Sequence, residues 1–243
     1  MREPEFGKKR GWMTTGFKYK LGFFIKSWVF SVLVAVIIAT SFKSAIADWN
    51  YIPTGSMEPT LLIGDRIFVN KLAYGLKVPY TTWHVNRWDS PQRGDIVVFF
   101  SPADGKRLVK RVIGIPGDTV AMDHNRVLIN GTPLEYAYTV DPTGEFGTAM
   151  APETHRFFTE NLAGLEHPVM LSPGTPSRHS FGPIRVPQGR YFVMGDNRDH
   201  SADSRYFGYV PQDRIVGQVT TVVLSWKKFP LSLRPNRYLE KIM

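Results

Sequence analysis

The chain has 243 residues, 43% of them hydrophobic and 13% aromatic, enough to bury one core or a core plus a smaller lobe. Its net charge is +9, but +5 of this sits in residues 1–26, so the other 217 residues carry only +4. That distribution argues against a nucleic-acid binder, which needs a basic face on its folded domain, and it suits the cytoplasmic flank of a membrane segment. With no cysteine, the chain has no disulfide, thiol nucleophile or thiolate metal site.

Residues 1–20 read as a basic cytoplasmic N-terminus. Ser27 to Phe42 is uncharged and lies between Lys26 and Lys43. Those 16 residues fall short of the roughly 20 that span a hydrocarbon core. Extension to 21–47 reaches that length if both lysines snorkel. Trp28 and Trp49 sit near the two ends, where amphipathic rings prefer to lie. This predicts a single-pass anchor in the cytoplasmic (inner) membrane, N-terminus inside, with everything from residue 48 on the extracytoplasmic side. A buried soluble helix is one competing reading. A cleaved export signal is another, because Ala45-Ile46-Ala47 has the A-x-A form of a cleavage site. The long basic region and Lys43 favour the retained anchor.

Beyond Asp48 the texture is β. Asp65–Val69, Asp95–Phe100, Leu108–Ile113, Val127–Ile129, Tyr191–Met194 and Gly217–Trp226 are short β-branched or aromatic runs, most of them separated by Gly, Pro, Asn or Asp. Asn130-Gly131 signals a hairpin turn. Residues 132–184 hold irregular, Pro- and Gly-rich sequence and read as an inserted second lobe, with Asn161–Gly164 a helical turn at best. The expected fold is mainly β: an antiparallel catalytic domain over 48–131 and 185–226, the inserted irregular lobe, one N-terminal transmembrane helix, and a basic tail over 227–243.

A serine hydroxyl needs a base to take its proton. No G-x-S-x-G elbow is present, and His200 beside Asp199 reads as structural. Lysine is a base only when neutral, which demands burial. On a strand, Leu108, Lys110 and Val112 share one face, an apolar setting that favours the amine. A solvated surface strand is the bland alternative. Ser56 lies in a Pro/Gly turn, Pro53-Thr54-Gly55-Ser56-Met57-Glu58-Pro59, which can expose a hydroxyl and lend N–H groups to an oxyanion. A third segment, Gly195 to Gly208, is dense in charge and hydroxyl. It fails as a calcium loop, because Ser204 stands where Gly is needed and Val210 where Glu is needed. It reads instead as a self-bracing turn with Asp203 and Arg205 paired and Ser201 free to bond an amine.

In order behind an anchor, the three segments resemble bacterial type I signal peptidase, the leader peptidase with a serine–lysine dyad. The match runs from the anchor to about Val210 and is weakest in the second lobe. The resemblance implies Ser56 as nucleophile, Lys110 as general base, and Thr54 with the Ser56 N–H as the oxyanion hole. It implies Ser201, Asp203 and Arg205 as supporting residues, and Ile52 and Val109 as walls of pockets for small substrate side chains. It further implies a membrane-bound serine endopeptidase that removes signal peptides from exported preproteins after A-x-A sites. The partners are then preproteins and the lipid bilayer, with no nucleic acid, no cofactor and no metal. Ala45-Ile46-Ala47 looks like the enzyme's own substrate motif, a candidate self-cleavage point protected by position. A self-cleaving repressor protease would need a DNA-binding helical module, and Ser225-Trp226-Lys227-Lys228 fits S-x-x-K without its companion motifs. A non-catalytic anchored binding domain is the rival from another class, and it has no need for Ser56 and Lys110 to touch.

Overall fold

The computed structural model describes residues 28–41, 46–78, 81, 84–141, 143, 155–228 and 232–242. The chain divides into two units, 1–44 and 45–243.

In the first unit residues 28–41 are helical. The side chains from Trp28 to Thr40 are exposed although nearly all are apolar, and Thr40 Oγ1 donates back to Val36 O at 2.7 Å. A helix apolar on every face requires apolar surroundings. Among the described residues no helix is long and apolar enough to cross a membrane. The flanks of the expected anchor, 21–27 and 42–45, lie outside the described residues.

The second unit is built from antiparallel sheets. The main sheet runs Ala47–Tyr51, Asp65–Asn70, Ile215–Lys228, Ile96–Phe100, Arg107–Gly114, Arg190–Met194, Val210–Pro211. Its central strand, Ile215–Lys228, is 14 residues long and bends through register shifts. That lets Val216, Val219 and Val222 pack with Ile67, Val69, Ile96 and Val98 in one core cluster. A second cluster lies under a smaller sheet, in which Thr119–Asp123 pairs with both Arg126–Ile129 and Phe181–Arg185. Asn130 and Gly131 both take positive φ, 53° and 82°, the twist-matched turn expected between the strands Arg126–Ile129 and Thr132–Pro133.

The expectation of an irregular second lobe is corrected. Glu135–Thr139, Arg156–Leu162 and Leu165–Leu171 form a three-stranded sheet, while residues 172–180 carry no strand and Thr132–Pro133 and Phe181–Arg185 belong to the smaller sheet above. Asn161–Gly164 is a hairpin turn and not a helical one: Ala163 and Gly164 have φ of 57° and 93°, and Leu162 pairs with Leu165. Alanine rarely takes that conformation, so the turn carries a weak sequence signal.

Candidate active site

Ser56 sits in a 3₁₀ turn, Gly55–Met57, on the loop between the first two strands. Met57 anchors the turn in the first core cluster, leaving Ser56 half-buried. Lys110 is in the strand Arg107–Gly114, and its side chain is 2% exposed. The two meet: Lys110 Nζ and Ser56 Oγ are hydrogen-bonded at 2.6 Å, and Nζ also donates to Val109 O at 3.0 Å. Burial lowers the Lys110 pKa from its ordinary 10.5 to about 8, with Asp203 and Asp196 pulling it up and Arg205 pushing it down.

The third segment packs under this pair. Asn197 Nδ2 donates to Gly55 O at 3.1 Å and Asn197 N to Ser56 O at 3.3 Å. Gly195 lies so close that a Cβ there would collide with Ser201 Oγ and Ser56 O. Asp203 and Arg205 are paired as expected: Arg205 Nε and Nη2 each reach the carboxylate at 2.8 Å, and both side chains are fully buried. Asp203 Oδ2 also accepts from Gly195 N at 3.0 Å, so the ion pair holds the backbone beneath Ser56. Ser201 Oγ is buried without a hydrogen-bond partner and does not bond Lys110.

A cavity of about 290 Å³ opens beside the pair, with Tyr51, Ile52, Pro53, Leu108 and Val109 among its walls. Ser56, Lys110 and the exposed Thr54 also line it. Ile52 is almost wholly buried and Val109 partly so, both in the first core cluster. Ile52, Val98 and Val109 thus give the cavity an apolar wall, while Asn50, Lys106 and Arg107 also line it.

Sequence reasoning missed a buried ionic layer on the opposite face of the lysine strand. Arg111 Nε and Nη2 grip Asp196 at 2.9 and 2.8 Å, and Thr60 Oγ1 donates to the same carboxylate at 2.5 Å. Burial pushes Asp196 up, but Arg111 and His167 outweigh it and hold the carboxyl below its usual range. From the second lobe, Glu160 accepts from Arg198 at 2.7 Å and contacts His167 Nε2 at 3.1 Å. These pairs tie the loop after Met194 to both the lysine strand and the lobe. The signal available was Arg111, a basic residue beside Lys110 in the middle of the strand, followed by the apolar Val112 and Ile113.

The family model described as "Signal peptidase, peptidase S26" matches residues 25–226. The chain belongs to the signal peptidase family, peptidase S26. A signal peptidase I of Pseudomonas fluorescens is 37% identical over 219 residues, covering 85% of this chain and 74% of that protein. One from Pseudomonas aeruginosa is 37% identical over 222 residues, again covering 85% and 74%. A solved signal peptidase I from Enterococcus faecalis is 34% identical, covering 54% of this chain and 98% of that one, with a TM-score of 0.34. As a member of the peptidase S26 family the chain is a serine endopeptidase.

Proposed function

We propose that the chain removes N-terminal signal peptides from exported preproteins, cutting after A-x-A sites with Ser56 as nucleophile and neutral Lys110 as general base. The 2.6 Å contact between Lys110 Nζ and Ser56 Oγ, made by a lysine only 2% exposed, carries this reading. As a free amine, Nζ has a lone pair to take the hydroxyl proton while Oγ bonds to the scissile carbonyl carbon. The resulting oxyanion is met by the Ser56 N–H and the Thr54 hydroxyl. The C–N bond then breaks, and the new ammonium returns its proton to the leaving amine. Water hydrolyses the acyl ester, with Lys110 taking the water proton and passing it back to Ser56. Ser201 Oγ is left free to hydrogen-bond the amine once Lys110 shifts during these transfers: a buried hydroxyl without a partner costs about 1–3 kcal/mol, and that bond would relieve it.

The substrate binds as an added strand. Arg190–Met194 pairs with Arg107–Gly114 only from Arg111 onward, so the edge beside Leu108 and Val109 carries no strand there. The residue before the cut then falls into the cavity walled by Ile52 and Val109. The exposed apolar helix over 28–41 belongs to a membrane anchor that holds the enzyme at the extracytoplasmic face of the cytoplasmic membrane. A membrane-held substrate then meets a membrane-held enzyme at high effective concentration.

The test is cleavage of an A-x-A preprotein in detergent–lipid by wild type, Ser56→Ala and Lys110→Met. Cutting at that bond by wild type alone is expected. Equal binding with no cutting by all three would replace the peptidase reading with that of an anchored binding domain.

A further inference from the structure

A second cleft borders the nucleophile. Ser56 and Thr54 line it as they line the first cavity, but its other walls are different: Glu58, His155, Met170, Asn197 and His200, with Gly55 at the floor. It encloses about 270 Å³. Two cavities that share only the nucleophile's turn flank the scissile bond of any extended chain laid across Ser56. If the signal-peptide side occupies the cavity at Ile52 and Val109, the other side of the chain leaves through this one.

We propose that this second cleft seats the first residues of the mature chain and that Glu58 makes it discriminate against acidic side chains there, a reading that rests on Ser56 being the nucleophile. The Glu58 carboxylate packs directly over Gly55, where any Cβ would collide with it, so it is held one residue from Ser56. Asn197 is fixed beside it, its Nδ2 donating to Gly55 O. Among the described residues no lysine or arginine lines the cleft. His155 Nδ1 is 2.8 Å from Ser172 Oγ, and burial, reinforced by His200, lowers the ring's pKa. The walls therefore set the Glu58 carboxylate beside an incoming chain with no lysine or arginine to offset it.

The charge on Glu58 is itself adjustable. Burial raises its pKa to about 7, with Asp65 adding to the rise and the Ile63 N–H and Arg234 opposing it. His155 and His200 face it across the cleft, and Lys110 lies beyond Ser56. Below pH 7 Glu58 is neutral and tolerates a neighbouring carboxylate. Above pH 7 it is charged and repels one.

The experiment uses the full chain in detergent–lipid with matched A-x-A preproteins. They carry Asn or Asp at the first and second mature positions, or at the x position as a control on the signal side. The quantity read is the Asn-to-Asp ratio of kcat/KM, in which the titration of Lys110 cancels. For mature-side substitutions the ratio is expected to be about tenfold at pH 9, the scale of a like-charge contact in a half-buried site. It should fall toward one at pH 6, and toward one at every pH in Glu58→Gln. Peptides of the same sequences binding to Ser56→Ala give the ratio without turnover. A ratio that Glu58→Gln leaves unchanged, that does not move with pH, or that appears equally at the x position overturns the proposal. Cleavage surviving in Ser56→Ala would instead overturn the assignment of the nucleophile, a separate readout.

Discussion

If Lys110 is the general base proposed above, one protonation links catalysis to stability. Its pKa falls from 10.5 to about 8 because the side chain is buried and no carboxylate touches Nζ. At pH 7 this raises the neutral fraction from about 0.0003 to about 0.1, roughly 300-fold. In the free enzyme, kcat/KM should rise about tenfold per pH unit up to a plateau above pH 8. Folding favours the same neutral form. The folded state releases the Lys110 proton near pH 8, the unfolded chain near 10.5. Between those values the unfolded state binds more protons, so this residue's contribution to stability grows as pH rises through the window. It amounts to about 3 kcal/mol, present in full above pH 10.5 and absent below pH 8. Lys110→Met removes the titration. Urea unfolding of both proteins should show the mutant ahead by a constant margin below pH 8, a margin that shrinks by about 3 kcal/mol towards pH 10.5. A kcat/KM limb near 10.5, or a stability difference flat across the window, would refute a neutral buried lysine. So would an acid limb near 6.5 that persists in Lys110→Met.

Four further outcomes follow from the geometry. Gly195→Ala drives a Cβ into Ser201 Oγ and Ser56 O and should cost about 1–3 kcal/mol in urea unfolding, with a loss of cleavage larger than the loss of fold explains. Asp196→Asn strands the buried Arg111 guanidinium, so about 3–5 kcal/mol of stability should be lost. It also removes a charge that raises Lys110, so any folded fraction should show its acid limb below pH 8. Val109→Ala or Ile52→Ala widens the first cavity, and valine or leucine before the scissile bond should gain about 10-fold or more relative to alanine in competition assays. Ala47 and Asp48 are paired with Asn70 and Val69 in an edge strand, so cutting between them should be slow and follow fraying. Intact-mass analysis should find residues 48–243 accumulating in wild type and not in Ser56→Ala.

How much of this was legible depends on the range of the interaction. The strands around Lys110 were readable because alternation is local: Leu108 and Val112 share its face whatever the rest of the chain does. The Asn130-Gly131 turn was readable because its φ values favour those residue types. The Asn161–Gly164 turn was not, since Ala163 adopts a conformation its side chain disfavours and the pairing of Leu162 with Leu165 decides the matter. The ionic layer was hidden for a different reason. Arg111 and Asp196 are 85 positions apart and Glu160 and Arg198 are 38 apart, and no periodicity reports such a pairing. The second cleft was hidden likewise: Glu58 is visible in the motif, but its packing over Gly55 depends on how the turn folds.

Lys110 and Arg111 show why burial alone does not assign a charge. They are adjacent, point to opposite faces of one strand, and are 2% and 0% exposed. Both have lost their water, and desolvation disfavours the cation in each case. Arg111 has its lost water replaced: a carboxylate meets its fork at two points and Gly94 O receives a third hydrogen bond at 2.9 Å. Lys110 meets only a hydroxyl and a carbonyl, while Asp203 is occupied by Arg205 and Asp196 by Arg111. The two arginines thus hold the nearest carboxylates away from the amine. Without them an aspartate would be free to pair with Lys110, and the proton that a general base must be ready to accept would already be in place.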